Sequence, residues 1–325
     1  MLRQPPEGLS PFYIGDGTFR TLLFVNLEAD VMVMTMPDLQ TYHIKRSPHG
    51  VHYVYVHHSI VSCHMIYRPA AFDHFDTIFC VGPHHEQEIR AREQQAGLPP
   101  KTLVEHGYGR LETLMDELEK MADTMPAAQD DQPHVLVAPS WGDHALLERL
   151  GVTFVAPLLE AGFRVTLRPH PRTRQLHSRV LDDAEKRFAD HASFTLDEDV
   201  ASRRSLIEAD VMVSDWSGAA LEFAFAREQP VLFVDVPRKV NNPGWDQLGI
   251  EPLEAWIRDK IGVVVPKAEL DSMPNHIGSL IQESASYSTR IRQLRSEYVH
   301  NLGESGRVGA CHLMDILKKG GASEG

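Results

Sequence analysis

The sequence predicts an α/β fold with two parallel β-sheets, each covered by helices on both faces. Short apolar runs of strand length alternate with helical patterns along the 325 residues, and this alternation is typical of parallel sheets. It is interrupted at residues 126–133 (PAAQDDQP), whose prolines and aspartates favour a linker. The chain is also longer than most single domains. We therefore expect two Rossmann-like domains, 1–130 and 131–325, that face each other across a cleft.

Four apolar runs in the first domain have the length and the β-branched or aromatic content of buried strands. Strands are predicted over 31–36, 53–57, 77–81 and 103–105, and helices over 86–95 and 111–125. His84 and His85 precede the first of these helices and are interpreted as a surface pair. Pro5, Pro6 and Pro11 leave two alternatives open, a natural start of the chain or the loss of an earlier strand.

The same alternation continues in the second domain. Strands are predicted over 134–138, 164–167, 193–195, 211–213, 231–236 and 262–265, and helices over 144–150, 154–161, 172–189, 200–209, 219–228 and from 268 onward. Residues 238–245 (RKVNNPGW) have no regular pattern and are predicted to form a loop. The last helix, 305–319, is expected to pack back on the first domain.

The segment 209–236 is a strand–turn–helix–strand unit, most simply a right-handed crossover. Its turn, Ser214 to Gly218, joins a buried strand to the start of a helix. Backbone N–H groups and the positive end of the helix dipole meet at such a turn, and they bind phosphate oxygens without a lysine. Two interpretations of Ser217 stay open: a helix cap alone, or a cap that also contacts a phosphate.

Polar residues follow several other predicted strands, and in open α/β sheets ligands bind beyond these carboxyl ends. Arg168 and His170 follow one strand, and the prolines of the run RPHP fix the backbone around the imidazole. Such a histidine either contacts a phosphate or leaving oxygen, or only caps a helix in a proline-bounded loop. His57 and His58 end a strand of the first domain, and imidazole suits acid or base chemistry near neutral pH.

Charge and composition exclude several classes of protein. The formal net charge of −13 argues against nucleic acid or an anionic membrane surface as the main partner. Cys63, Cys80 and Cys311 are widely spaced without a CxxC motif, which predicts reduced thiols and neither disulfides nor a zinc site. No apolar run approaches the roughly 20 residues that span a bilayer, and a signal peptide is not expected. We therefore expect a cytoplasmic protein, with peripheral contact at the inner face of the cell membrane left open.

Together these motifs resemble those of the CDP-glycerol glycerophosphotransferase family, whose enzymes build teichoic-acid-like and capsular polymers on a GT-B scaffold. The resemblance covers residues 51–315 and depends on the order of motifs that are weak individually. These are VHHS (56–59), GYGR (107–110), RPHP (168–171), SDWSG (214–218) with Glu222 one helical turn later, and NLGES (301–305). The family pattern has glycine at His58, threonine at Ser59, proline at Gly109 and a hydroxyl residue at Gly218.

The resemblance implies a role for each matching residue. Two catalytic histidines are implied, His57 and, near the donor diphosphate, His170. A nucleotide- and phosphate-binding set is also implied, which comprises Arg110, Arg168, Ser214, Asp215, Ser217, Gly218 and Glu222. Within it, Glu222 is expected to meet the ribose hydroxyls. No metal site is expected, because the helix dipole, hydroxyls and basic side chains can neutralise a diphosphate.

The implied reaction moves a glycerophosphate-like polyol phosphate from a CDP-activated donor to a hydroxyl of a polymer or lipid-linked saccharide. No cofactor is required beyond that donor. His57 would take the acceptor proton, while Arg168 and His170 would stabilise the leaving nucleotide phosphate. Three alternatives stay open: a GT-B glycosyltransferase that uses a nucleotide sugar, an enzyme similar to UDP-sugar 2-epimerases, and a non-catalytic partner in polymer export.

Overall fold

The computed structural model describes residues 7–14, 17–122, 132–199 and 202–321. Within these ranges the chain forms two parallel β-sheets, of four and six strands, with helices packed against them. The predicted α/β class with two parallel sheets is confirmed. The predicted linker falls mostly on residues 123–131, outside the described ranges, so the boundary between the two domains stays a prediction.

The first sheet has the strand order β1-β2-β3-β4, so its strands are neighbours in sequence as well as in space. Its elements are β1 (Val31–Met34), β2 (His52–Val56), β3 (Thr77–Cys80) and β4 (Thr102–Glu105), with helices α1 (Thr18–Val25), α2 (Pro83–Ala96) and α3 (Gly109–Ala122). Val54 and Tyr55 point to opposite faces of β2 and are both fully buried. Both faces of the sheet are therefore covered, which explains the continuous apolar runs in its strands.

The second sheet has the strand order β10-β9-β8-β5-β6-β7. Its strands are β5 (His134–Val137), β6 (Arg164–Leu167), β7 (Phe194–Leu196), β8 (Val211–Ser214), β9 (Val231–Asp235) and β10 (Gly262–Pro266). The helices are α4 (Leu146–Leu150), α5 (Val155–Glu160), α6 (Pro171–Leu176), α7 (Ser178–Phe188), α8 (Arg204–Glu208), α9 (Gly218–Arg227), α10 (Leu253–Trp256), α11 (Arg258–Ile261), α12 (Met273–Gln282), α13 (Ser284–Tyr298) and α14 (Ser305–Gly321). None of the described helices combines the length and apolarity that crossing a membrane requires.

The order of the second sheet creates a crevice between β5 and β8. Strand β5 pairs with β6 on one side and with β8 on the other, so later strands are added to the sheet on both sides of β5. Loops that follow β5 and β8 must then separate above the sheet. Ligands of open α/β sheets bind at such a point, beyond the carboxyl ends of the strands.

Two predicted elements differ from the structure. The predicted helix 172–189 is divided into α6 and α7 at His177, whose φ of −137° and ψ of 41° are not helical. The predicted helix 200–209 is reduced to α8, with residues 200 and 201 outside the described ranges. The predicted loop after β9 is confirmed and leads to a short 3₁₀ turn, Trp245–Leu248.

The interpretation of His84 and His85 as a surface pair is wrong, because both side chains are buried in the first turn of α2. The segment after β2 crosses this turn. The Nε2 atoms of His84 and His85 lie 2.9 Å from the carbonyl oxygens of Ile60 and Val61. The two imidazoles therefore hold the segment that begins with His57.

Helix packing and the C-terminal part of the chain connect the two sheets. Helix α3 packs against α9, and their buried side chains share one apolar cluster. Helix α14 starts beside α3, where Ser305 Oγ donates to Glu112 at 2.7 Å. Gly107 of the motif GYGR has a φ of +100°, and a Cβ there would lie 2.4 Å from the carbonyl oxygen of His300. This glycine thus allows the chain between α13 and α14 to pass close to the first sheet.

Candidate active site at the strand ends

Asp215 organises the crevice between β5 and β8. Its side chain is buried, and its two oxygens accept hydrogen bonds from Ser140 N at 2.7 Å and from Leu146 N at 2.8 Å. The carboxylate therefore fixes both ends of the loop that follows β5. Asp215 was predicted to contact nucleotide or phosphate, and the structure instead gives both of its oxygens to backbone amides.

The start of α9 contains the predicted phosphate cradle. Ser217 is the N-cap, and its Oγ accepts a hydrogen bond from Ala219 N at 3.3 Å. Ser214 is fully buried, and its Oγ donates to Ala138 O at 2.8 Å. Of the predicted cradle, the structure leaves Ser217 and the first amides of α9 partly exposed, whereas Ser214 is occupied inside the fold.

Gly218 lies where the two sheets approach each other. A Cβ at this position would lie 2.8 Å from Ser59 Oγ and 3.5 Å from Val61 Cγ1. A serine, which the family pattern would have here, would meet the hydroxyl of Ser59. The two departures from the pattern, at Ser59 and Gly218, therefore face each other in space.

Glu222 and Arg110 are brought together as an ion pair across the same junction. Arg110 Nε donates to Glu222 Oε2 at 2.9 Å, and Tyr108 Oη donates to Glu222 Oε1 at 2.7 Å. The Glu222 carboxylate raises the pKa of Arg110. Their predicted contacts with a nucleotide stay predictions, since in this structure Glu222 is satisfied by α3 and the residue before it.

Arg168 and His170 follow β6 but point to different surroundings. Arg168 donates to Asp197 Oδ2 at 2.8 Å and to Ser202 O at 2.7 Å, so it fastens the loop between β7 and α8. His170 is the N-cap of α6, where its Nδ1 accepts from Arg172 N at 3.1 Å. This hydrogen bond assigns the proton of the neutral ring to Nε2. The Nε2–H of His170 therefore has no partner among the described residues, whereas Arg168 is held within the fold by hydrogen bonds to Asp197, Ser205 and Ser202.

Two basic residues that the sequence reasoning missed surround Trp141, in the loop after β5. The Arg172 guanidinium lies 4.9 Å from the Trp141 ring centre, and Lys239 Nζ lies 4.5 Å from it. The His170 ring is 5.7 Å away. Burial, with Lys239 and Arg172 nearby, lowers the pKa of His170 to about 4, so its imidazole is neutral at physiological pH.

A cavity of about 170 Å³ lies beside this group and is bounded by the loop after β5, by Trp216 and by Lys239. Burial lowers the pKa of Lys239. A weak signal in the sequence could have suggested this residue, because Arg238 and Lys239 follow a predicted strand end. The cavity, the cations and the aromatic ring can together receive a phosphorylated ligand.

His57, the predicted catalytic histidine of the first domain, is buried with only 4% of its surface exposed. Its ring stacks on His85 with centres 3.8 Å apart, and its Nε2 lies 3.7 Å from Cys63 Sγ. Its Nδ1 is buried without a hydrogen-bond partner among the described residues. Burial, then the neighbouring histidines, lower the pKa of His57 well below its ordinary value. The ring is therefore a neutral base that has one free nitrogen but no direct access to solvent.

His58 is the exposed member of the pair. Its Nδ1 lies 3.1 Å from Tyr55 Oη, and its carbonyl oxygen accepts a hydrogen bond from Tyr108 Oη at 3.0 Å. Burial lowers its pKa as well. Two imidazoles of different exposure therefore stand at the end of β2.

His57, Cys63 and His85 have ligand atoms within 4.8 Å of one another. Both ring nitrogens of His85 are already bonded, Nδ1 to Val81 N at 3.2 Å and Nε2 to Val61 O at 2.9 Å. His85 would have to lose one of these bonds to become a ligand. The cluster fits a hydrogen-bonded support of the segment after β2 better than a metal centre.

Comparisons with known proteins identify the family and the fold. The family model described as CDP-Glycerol:Poly(glycerophosphate) glycerophosphotransferase matches residues 71–237, which include His170 and the start of α9 but not His57. No curated protein sequence gives a significant match.

Solved structures of the wall teichoic acid polymerase TagF share the fold. A variant form has a TM-score of 0.57 and 13% identity, with 90% of this chain and 74% of that chain covered. A form soaked with CDPG gives 0.56 and 14%, with coverage of 90% and 73%, and another TagF structure gives 0.54 and 15%, with 85% and 71%. Because the family model matches more than half of the sequence, this chain belongs to the CDP-glycerol:poly(glycerophosphate) glycerophosphotransferase family of enzymes.

Proposed function

We propose that this chain transfers a glycerophosphate-like polyol phosphate from a CDP-activated donor to a hydroxyl of a polymer or lipid-linked saccharide, in cell-surface polysaccharide synthesis. The observation that carries the proposal is the group of cations around Trp141 at the β5–β8 crevice, in a chain whose net charge is −13. Basic side chains are concentrated here against the overall charge. Such a concentration favours a phosphorylated ligand at this point of the fold.

The donor diphosphate occupies the second sheet in this proposal. The Gly218 amide at the start of α9 and the Ser217 hydroxyl face one side of it, and the helix dipole adds to their attraction. His170 Nε2–H and Lys239 contribute from the other side. Lys239 and Arg172 take the place first predicted for Arg168, which is bonded to Asp197. These cations stabilise the charge that develops on the leaving phosphate, and the proposal assigns no metal.

The transfer step uses an acceptor hydroxyl and a base from the first sheet. The acceptor oxygen bonds to the phosphorus that carries the polyol, the bond from that phosphorus to the bridging oxygen breaks, and CMP leaves with the electron pair. His57 takes the acceptor proton on Nδ1, the ring nitrogen without a partner. Because the ring is buried, the segment after β2 must move to admit the acceptor.

The proposal also gives the enzyme a cytoplasmic location with peripheral contact at the inner face of the membrane, where a lipid-linked acceptor would be reached. Cell fractionation tests this part alone. An enzyme found wholly in the washed soluble fraction in cells that make the polymer would contradict the membrane contact without affecting the donor.

The experiment that tests the donor is a thermal-shift and calorimetric screen of CMP, CDP, CTP, CDP-glycerol, UDP and UDP-sugars. A ligand at one hundred times its Kd stabilises the native state by about 2.7 kcal/mol. We expect cytidine nucleotides to stabilise the protein selectively, and Ser217→Ala combined with His170→Ala to remove most of the effect. Arg187→Gln, which removes a surface pair with Asp183 on α7, serves as the matched control and should bind as the wild type does.

Two results would contradict the proposal. A preference for uridine nucleotides would favour the glycosyltransferase or epimerase alternatives, and absence of nucleotide binding would favour a non-catalytic partner. With a cytidine preference established, release of CMP from CDP-glycerol together with a mass increase of one glycerophosphate on the acceptor identifies the reaction.

A further inference from the structure

A second cavity lies at the carboxyl end of β9, on the other side of Trp216 from the Trp141 group. It measures about 390 Å³ and is bounded by residues 235–238, Trp216, Ala255 and Arg258. Trp216 and Pro237 line both cavities. The two spaces are therefore neighbours along one edge of the sheet.

Arg258 is a buried guanidinium without a good partner at this cavity. Its side chain is 5% exposed, Nη1 lies 3.9 Å from Asp235 Oδ1, and Nη2 lies 3.4 Å from Val234 O. Nε is buried with no hydrogen-bond partner among the described residues. The group packs on the rings of Trp216 and Phe233, at 4.2 Å and 5.1 Å from their centres. Burial lowers the pKa of Arg258 to about 10, because the guanidinium has lost hydration and its few protein partners do not replace it.

Among the described residues, the buried Arg295 and the half-buried Arg168 are paired closely. Arg295, with 11% of its side chain exposed, donates to Glu228 Oε1 at 2.8 Å and to the carbonyl oxygen of Phe225. Arg168 has short bonds to Asp197 and Ser202. A buried charge without such partners is costly. Arg258 differs from Arg295 and Arg168 because a cavity, and not a closely bonded carboxylate, lies beside its guanidinium.

Arg238 supplies a second cation at the rim. Its guanidinium lies 5.6 Å from the Trp216 ring centre and donates to Glu251 Oε1 at 3.0 Å, and its side chain is 40% exposed. Asp235 and Glu251 lie nearest to the two arginines, and the buried carboxylate of Asp215 also acts on Arg258. A ligand must therefore compete with them, which favours a compact anion that bonds two guanidinium groups through several oxygens.

We propose that Arg258 and Arg238 form a phosphate-binding subsite at the carboxyl end of β9, separate from the start of α9, which takes a phosphate ester of a substrate. Phosphate oxygens match the planar fork of arginine and accept several of its hydrogen bonds at once. The ester comes either from the donor or from phosphodiesters of an anionic acceptor polymer. The choice between these sources rests on the proposed function, whereas the phosphate chemistry of the subsite does not.

The test is calorimetry on the full chain at low ionic strength with four probes: CDP-glycerol, CMP, glycerol 3-phosphate and a short poly(glycerol phosphate). Arg258→Met and Arg238→Gln are compared with wild type. We expect each variant to weaken binding of at least one probe that carries a polyol phosphate by tenfold or more, which is the scale of a charge-assisted hydrogen bond. Binding of CMP should change less than threefold.

The matched control is Arg227→Met. Arg227 also has a buried Nε without a partner among the described residues, but it lies at the far end of α9, where Nη2 donates to Ala209 O at 3.2 Å. It should bind every probe as the wild type does. If Arg258→Met fails to fold, the partly exposed Arg238→Gln decides the question alone.

The outcomes separate the sources and the two proposals. Weakened CDP-glycerol with unchanged poly(glycerol phosphate) assigns the subsite to the donor, and the reverse assigns it to the acceptor. If wild type binds no cytidine nucleotide but binds a glycerol phosphate through Arg258, the subsite stands and the proposed function fails. If all probes bind both variants as they bind wild type, the subsite is overturned.

Discussion

The ends of the two sheets differ in how completely their basic side chains are paired within the chain. At the end of β2, His84 and His85 bond to backbone carbonyls, and Ser62 bonds through both N and Oγ to Glu254 at 2.8 Å. Partners for these buried groups come from within the chain. His57 Nδ1 and His84 Nδ1 are among the buried side-chain atoms of this region that have no hydrogen-bond partner among the described residues.

Near the ends of β5, β6 and β9, Lys239, Arg172 and Arg258 form no short hydrogen bond to a carboxylate among the described residues, whereas Arg168 does. Lys239 and Arg172 approach an aromatic ring, and Arg258 has only long contacts with oxygen. These groups retain capacity to bond an external anion. The comparison supports the proposal that the second sheet binds the charged substrate. In the same proposal the first sheet supplies the segment after β2, which must move to expose the buried His57 ring.

The largest expected effect tests the histidine pair of the first sheet. If His57 is the base, His57→Asn should lower the rate of CMP release from CDP-glycerol about 10²- to 10⁴-fold, which is the usual contribution of a general base. His58→Ala should cost less than tenfold. Steady-state kinetics of both variants, with their unfolding curves, provide the measurement.

The control for this experiment is Cys63→Ala, which disturbs the surroundings of His57 Nε2 but keeps both imidazoles. It should retain activity within tenfold. A larger loss in His58→Ala than in His57→Asn would transfer the role of base to the exposed histidine and show that the role implied by the resemblance is wrong.

The next effect concerns Asp215, whose carboxylate holds the loop after β5 in the second sheet. Asp215→Asn replaces an acceptor oxygen by an amide group that faces a backbone N–H, because both oxygens accept from amides. We expect the free energy of unfolding to fall by about 3 kcal/mol, as for other buried charged groups that lose a partner. Urea unfolding measures it, and Asp183→Asn on the surface of α7 should change it by about 0.5 kcal/mol or less. A loss below about 1 kcal/mol would mean that the loop after β5 does not depend on this carboxylate.

The contrast between the sheets also explains which features the sequence could predict. Strands such as β8 were predictable because parallel strands are buried on both faces, so that Val211 to Val213 form one apolar run. The turn that follows was predictable from its small polar residues. A local sequence pattern is sufficient to predict an element whose conformation depends only on residues close to it in sequence.

The role of each polar residue in that turn was not predictable in the same way. Asp215 bonds to Ser140 and Leu146, which are distant in sequence, and no local signal distinguishes such a residue from a ligand contact. His84 and His85 are buried only because the segment after β2 lies over them. Arg258 is a single basic residue in a short helix, and its significance comes from the cavity beside it.

A smaller effect follows from the buried histidines. His134 is buried with its Nε2 2.8 Å from Thr166 Oγ1, and burial followed by Arg164 lowers its pKa to about 4. In the unfolded chain its pKa is about 6.5, so the unfolded state binds more protons between these values. Stability therefore falls as pH falls through this window. At pH 5 the histidine alone should account for about 2 kcal/mol of that loss.

His134→Asn should therefore flatten the acid side of the stability profile, measured by urea unfolding between pH 7 and pH 5. Thr166→Val is the control, because it removes the hydrogen bond and keeps the titrating ring, and its profile should stay parallel to that of wild type. Glu254 acts in the opposite direction, since burial raises its pKa to about 6. Equal slopes in wild type and His134→Asn would show that His134 is protonated in the native state.

The smallest effect tests the ion pair that connects the two sheets. Arg110 is 59% exposed at its side chain, so solvent screens its attraction to Glu222, and Arg110→Gln should lower the free energy of unfolding by about 1 kcal/mol or less. The same ion pair can also be tested through nucleotide recognition. If Glu222 meets ribose hydroxyls, Glu222→Ala should remove the preference for CDP over 2′-deoxy-CDP, whereas Arg110→Gln should preserve it. A preference unchanged in Glu222→Ala would leave this carboxylate with Tyr108 and Arg110 as its partners, and would make it a connection between the sheets rather than part of the nucleotide site.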